Sequence, residues 1–189
     1  MIKNFIKVAA ITSLLLSSSV FANELIKSGE ALKNNKFTLT GIAKVDQVRT
    51  PIRASFEASV DIYKQYLEKA KNSTEYNQFY KSVEGKSDKE IEASFNALPA
   101  ETKVKIQTAQ KATKEINKSI GKLLLQVAAS QIAFSEMDTD SALSDLSMWD
   151  MPAALSSVSD TTSELGFIKE SVGEIYRINQ ILSKFQQAS

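Results

Sequence analysis

Apolar side chains recur every three or four positions along most of the chain, which is the spacing of one buried helix face. Glu24 to Lys33 carries Leu25, Ile26, Ala31 and Leu32 and predicts a short first helix. Asn34 to Arg49 is ambiguous. Phe37, Leu39 and the neighbouring threonines suit a brief extended segment before Gly41, whereas Ile42, Val45 and Val48 or Arg49 return to helical spacing. Thr50 as a cap and Pro51 as a first helical residue predict the start of a second helix, since proline lacks only an N–H that is unpaired there anyway. Ile52, Phe56, Ser59, Val60, Tyr63, Leu67 and Ala70 fall within about 120° on its wheel, with Glu57, Asp61, Lys64 and Glu68 opposite.

Ser73 is placed to cap a third helix carrying Tyr76, Phe79, Tyr80 and Val83, which Gly85 ends. Its aromatic stripe reads as core. Ser87 and Glu90 form a capping box ahead of Ile91, Phe95 and Leu98, and Pro99 closes that short helix. From Ala100 to about Met137 the only breaker is Gly121, which predicts one long helix with two unlike halves. Lys111, Lys114, Lys118 and Lys122 share one face of the first half. In the second half Leu123, Leu124, Leu125, Val127, Ile132 and Phe134 surround the axis, and a helix apolar all round needs a bundle centre, a partner or a lipid surface around it. Asp138 to Ser163, rich in Ser, Thr and Asp and holding Pro152, reads as a long acidic connection. Asp160 or Thr161 then caps a last helix to about Gln186, with Leu165, Ile168, Val172, Ile175, Ile178, Leu182 and Phe185 on its apolar face. The fold class is therefore all-α, a helical bundle of four main helices with shorter ones, in a single domain over residues 23–189.

Residues 1–22 stand outside that domain. Lys3 and Lys7 precede the apolar run Val8 to Leu16, and Val20-Phe21-Ala22 offers small side chains one and three positions before a cut after Ala22. This is the pattern of a cleaved secretory signal, too short to span a bilayer, and it predicts a periplasmic or secreted protein.

Composition narrows the chemistry. The chain has no histidine and no cysteine, so imidazole or thiolate catalysis, disulfides and His/Cys metal centres are excluded. Ser119 and Lys122 match the S-x-x-K spacing of acylating enzymes, but the companion motifs are missing. Asp138, Asp140, Asp145 and Asp150 begin like a calcium loop, yet Leu143 and Trp149 stand where an EF-hand requires Gly and Glu. No cofactor is expected.

Charge is unevenly distributed. Residues 23–122 hold 18 basic and 13 acidic side chains, a net charge of +5, and residues 123–189 hold 3 and 9, a net charge of −6. The acidic connection is expected to fold back across the lysine face; an anionic docking surface is the other reading. Residues 23–189 hold 21 basic and 22 acidic side chains, a net charge of −1, which argues against nucleic acid as a partner. Leu124, Leu125, Ile132, Phe134, Met148, Trp149 and Met151 make the candidate interaction surface, with Trp149 expected to cover the apolar half of the long helix. The function expected from these features is non-enzymatic binding of a protein partner or a small apolar ligand. The alternatives are a membrane-active protein that exposes residues 123–134 and a hydrolase that works through paired carboxylates.

Overall fold

The computed structural model describes residues 18–70, 72–137 and 151–185. Every regular element among them is helical: α1 (Ser18–Asn34), α2 (Ala43–Ala70), α3 (Thr74–Val83), α4 (Asp88–Asn96), α5 (Ala100–Ala112), α6 (Lys114–Ser135), α7 (Met151–Ile168), a π-helical turn (Lys169–Gly173) and α8 (Glu174–Lys184). Helix α1 crosses the expected cleavage point and continues upstream of Asn23. No extended pairing forms at Phe37–Leu39, which belong to an irregular connection.

Helix α2 is the hub, packing on α1, α3, α6, α7 and the π-turn. Its Phe56, Val60, Tyr63 and Tyr66 are buried against Ile116, Ile120, Leu123 and Val127 of α6 and Phe167 and Ile168 of α7. Ring edges of Phe56 and Tyr63 meet Phe167, with centroids 5.4 and 6.3 Å apart. Helices α3, α4 and α5 add Tyr76, Phe79, Ile91, Phe95 and Ile106, and α8 supplies Ile175, Ile178, Ile181 and Leu182. Short-range signals decide the α3–α4 corner. Ser73 accepts the Tyr76 N–H, Gly85 takes φ +74° after α3, and Ser87 and Glu90 close the capping box. A left-handed residue at that corner suits glycine, which has no Cβ to clash.

Four expectations are corrected. The second helix starts at Ala43 and runs through Pro51. Asp46 organises that earlier start: its carboxylate accepts from the backbone N–H groups of Thr40 and Gly41 at 2.8 and 3.0 Å and from the Thr40 hydroxyl at 2.9 Å. Burial of Val45 and Arg49 ahead of the proline and of Ile52 and Arg53 behind it holds the helix together through the lost hydrogen bond.

The long helix is broken at Thr113, which leaves helical geometry at φ −93°, ψ 4°. Its hydroxyl donates to the Gln110 carbonyl at 2.9 Å and accepts from the Asn117 amide at 3.3 Å. A hydroxyl satisfied by the nearby backbone offers the chain an alternative to continuous helix without any glycine or proline.

The last helical run starts at Met151, well before Asp160 or Thr161. Pro152 lies in its first turn, where proline is tolerated. The Ser/Thr-rich stretch is helical because Ala154, Ser157, Thr161 and Glu164 bury one face of it where the helix packs on α2, and its hydroxyls are satisfied by bonding back: Thr161 to Ser157 O at 3.0 Å, Thr162 to Val158 O at 3.2 Å and Ser163 to Ser159 O at 3.1 Å. In the π-turn Ser171 does the same, donating to Phe167 O at 2.6 Å.

Finally, the second half of α6 is not enclosed on all sides. Leu123 and Val127 are buried and Leu124 and Phe134 half-buried, but Leu125 is 76% exposed and Ile132 57% exposed. One face of the helix is enough to pack on α2, and its outer apolar face has no cover among the described residues.

Candidate functional site

The α5–α6 break places a surface depression on either side of itself. One, of about 600 Å³, lies beside α3 and α5 and is lined by Tyr76, Val104, Lys105, Ala109 and Thr113 among others. The second, of about 770 Å³, runs between α6 and α8. Its edge carries Lys111, Lys114, Lys118 and Lys122, its base Gln110, Asn117 and Asn179, and Leu125 and Tyr176 complete the wall. No carboxylate belongs to that lining. Lys118 pairs with Glu115 at 2.9 Å, whereas Lys111, Lys114 and Lys122 have no ion pair among the described residues. Gly121 lets α8 come close, since a Cβ there would lie 3.1 Å from the Tyr176 ring.

A buried polar chain joins the two depressions. Tyr66 and Tyr76 share a very short hydrogen bond between their hydroxyls, and the Tyr76 hydroxyl donates to Asn179 Oδ1 at 2.9 Å. Asn179 Nδ2 donates to Asn117 Oδ1 at 3.2 Å and to Ile175 O at 3.0 Å, while Gln110 Nε2 donates to Asn179 O at 2.7 Å. Burial pushes the Tyr76 phenol up to about 12 and Tyr66 well above its ordinary range, so both keep their protons at neutral pH. Neutral phenols and amides recognise and position; they do not abstract protons. Chemically this site is a cationic edge over a hydrogen-bonding base.

A second polar cluster is structural. Arg49, 1% exposed, donates from Nε to Thr161 Oγ1 at 3.0 Å and from Nη1 to Thr38 O at 3.2 Å and Asp46 Oδ1 at 3.4 Å. Arg53 reaches Glu164 Oε1 at 2.8 Å, Glu57 Oε1 at 2.7 Å, and the carbonyls of Leu32 and Lys33 at 3.0 and 2.6 Å. Phe37 stacks on Arg49 at 4.9 Å. Burial lowers the Arg49 pKa against the pull of Asp46, Glu164 and Asp160. Burial also lowers that of Arg53, but its bonds to Glu164 and Glu57 outweigh this and raise it. Glu164, 1% exposed, is raised by burial in spite of Arg53, and its Oε2 has no hydrogen-bond partner among the described residues. The arginines thus tie the end of α1 and the following connection to α7.

Charge complementarity between the acidic stretch and the basic first part of the chain is seen at Asp160 and Glu164, while the expected return of the connection across the lysine face falls on residues outside the described ones. Of the acidic stretch, Asp160 and Glu164 face the arginines of α2, not the lysines of α6. Asp138, Asp140, Asp145, Asp150, Met148 and Trp149 lie outside the described residues, as does the expected cover by Trp149; Met151 begins α7. Leu125 and Ile132 share the outer face of α6, while Leu124 and Phe134 turn partly inward. The S-x-x-K pair does not come together as a nucleophile and base. The Ser119 hydroxyl donates to Glu115 O at 3.2 Å, and both side chains are exposed.

Sequence reasoning missed Asn117, Asn179 and Tyr176. A signal existed, because Asn179 interrupts the apolar face of Ile175, Ile178 and Leu182, and a polar residue there must find buried partners. The arginines also left a trace: Arg49 and Arg53 repeat the four-residue spacing of Asp160 and Glu164. Comparison with known proteins adds nothing to the site, as no family model, curated protein or solved structure matches the chain.

Proposed function

We propose that the chain is an exported, non-enzymatic helical-bundle protein that binds an anionic partner in the groove between α6 and α8, its residues 1–22 serving as a cleaved signal. The observation that carries this reading is the lining itself, with four lysines along one groove and no carboxylate among its residues. Even with Glu115 paired to Lys118, the excess of positive charge along the groove raises the local concentration of anions and steers their approach. Exposed charge pairs contribute about 0–1 kcal/mol each, so the lysines alone give at most roughly millimolar affinity. Asn117, Asn179, Tyr176 and Leu125 are placed to add the hydrogen bonds and apolar contact that tighter binding requires. An anion fits better than a small apolar ligand, because both depressions are surface grooves with polar edges.

Fluorescence anisotropy with labelled polyglutamate tests the reading. Binding is expected to weaken with salt and to disappear when Lys114, Lys118 and Lys122 are all changed to Glu, with labelled polylysine as the negative control. Equal binding of polyglutamate by this variant and the unmodified protein would overturn it.

A further inference from the structure

The lysines of α6 belong to a longer feature. At 100° per residue, Lys114, Lys118, Lys122, Leu125, Ala129, Ile132 and Ala133 fall within an arc of about 100° and span about 28 Å along the axis. All seven are exposed, as is Glu115 at the edge of the same arc, where it pairs with Lys118 and leaves Lys114 and Lys122 as the lysines without an ion pair among the described residues. The outer face of α6 therefore changes from cationic to apolar along its length, with Lys114, Lys118, Lys122 and Leu125 on the edge of the α6–α8 groove and Ala129, Ile132 and Ala133 on the exposed surface beyond it. The inner face of the same helix is occupied by α2, through Ile116, Ile120, Leu123 and Val127.

From this we propose that the outer face of α6 docks on the surface of an anionic phospholipid bilayer. It rests on the anion-binding reading above and names the partner. Lys114, Lys118 and Lys122 meet the phosphate headgroups, their alkyl stems lying along the helix, and Leu125, Ala129, Ile132 and Ala133 enter the acyl boundary. Because the two chemistries follow one another along the axis, the helix approaches obliquely, with Ile132 deeper than Lys114. A purely acidic chain would satisfy the lysines but leave Leu125 and Ile132 in water. The contact is peripheral, since no described helix is long and apolar enough to cross a membrane.

Sedimentation with vesicles tests the proposal, comparing pure phosphatidylcholine with equal parts phosphatidylcholine and phosphatidylglycerol. Binding is expected only to the anionic vesicles and should fade at ~1 M salt, where the screening length shrinks to about 3 Å. Changing Lys114, Lys118 and Lys122 to Gln should weaken it about a hundredfold, at about fivefold per lysine. Leu125→Ser with Ile132→Ser should weaken it at unchanged charge, whereas reversal at Lys36, Lys86 and Lys89, exposed on other parts of the chain, should have little effect. Every substituted side chain is exposed, and an unchanged helical circular dichroism spectrum confirms the fold of each variant. The chain has no cysteine, so a polarity-sensitive dye on Ile132→Cys or Lys114→Cys reports depth. A larger blue shift from position 132 on vesicle addition is expected. Equal binding to both vesicle types, no loss in the Gln variant, or a deeper dye at position 114 would overturn the proposal. Binding of polyglutamate without binding of vesicles would overturn the bilayer assignment and leave the anion-binding reading standing; failure of both probes would overturn both.

Discussion

Arg53→Met should be among the most damaging single substitutions at a polar residue of this chain. The guanidinium is the hydrogen-bonded counter-charge of Glu164, whose carboxyl is almost fully buried and whose Oε2 is already without a partner among the described residues. Methionine keeps much of the volume and the contact with Phe56 but strands the carboxylate. Removing one partner of a buried ion pair costs about 3–5 kcal/mol, because the remaining charge has lost its attraction and stays out of water. The carbonyls of Leu32, Lys33 and Asn35 also lose their donor, at smaller cost because they are only partly buried and water can replace it. Against a typical total of about 5–15 kcal/mol the loss is large, and at about 2–4 °C per kcal/mol it lowers the melting temperature by roughly 6–20 °C.

Two further measurements separate stranded charge from lost packing. Adding Glu164→Leu to Arg53→Met should restore most of the stability, since it removes the charge that the first change isolates. The pH dependence has a definite sign. The folded pKa of Glu164 lies above its unfolded value, so the folded state holds the extra proton and this group's contribution is lost as pH rises through the folded pKa. Loss of Arg53 moves that pKa further up, so the penalty should shrink as pH is lowered toward the unfolded value. Urea unfolding of the four proteins of the cycle, at neutral and acidic pH, measures both effects. A loss below about 1 kcal/mol, or a double variant whose penalty equals the two single ones combined, would refute the reasoning.

Gly29→Ala should destabilise by about 1–3 kcal/mol through overpacking, because its Cβ would lie 2.5 Å from Phe167 Cε2 where α1 meets α7; an unchanged thermal melt would show that this contact is not tight. Glu84 is pushed up to about 7 by burial and by the nearby Glu174, against Lys81. Its ionisation therefore opposes folding as pH rises from the unfolded value through 7, and Glu84→Gln should add about 1 kcal/mol near pH 8, allowing for solvent screening, and almost nothing near pH 4. A gain independent of pH would contradict that cause. Asn179→Leu should cost about 1–3 kcal/mol by leaving a phenolic proton of the Tyr66–Tyr76 pair without an acceptor, checked by urea unfolding. Exported protein should have the intact mass of a chain starting at Asn23, and a mass retaining residues 1–22 would reject signal cleavage after Ala22.

Helical class, the Ser73 cap, the Ser87–Glu90 box and the buried faces of α3, α4 and α8 were legible in the sequence because each depends on residues within one or two turns of one another. The exposed lysine stripe was legible for the same reason, as charge at helical spacing defines a face before any neighbour is known. Tertiary structure decided what depends on residues distant in the chain. Pro51 sits inside α2 because burial on both sides outweighs a local stop signal, and the Ser/Thr-rich stretch joins α7 because docking of its buried face on α2 outweighs hydroxyls that favour turns in isolation. The groove needs α8 beside α6, and Asn117 and Asn179 are 62 residues apart. Arg49 finds Thr161 across 112 residues, and Arg53 finds Glu164 across 111. Helical periodicity says which side of an element avoids water, whereas the choice of partner for a buried polar group is made only when the elements pack and that group must replace its lost water.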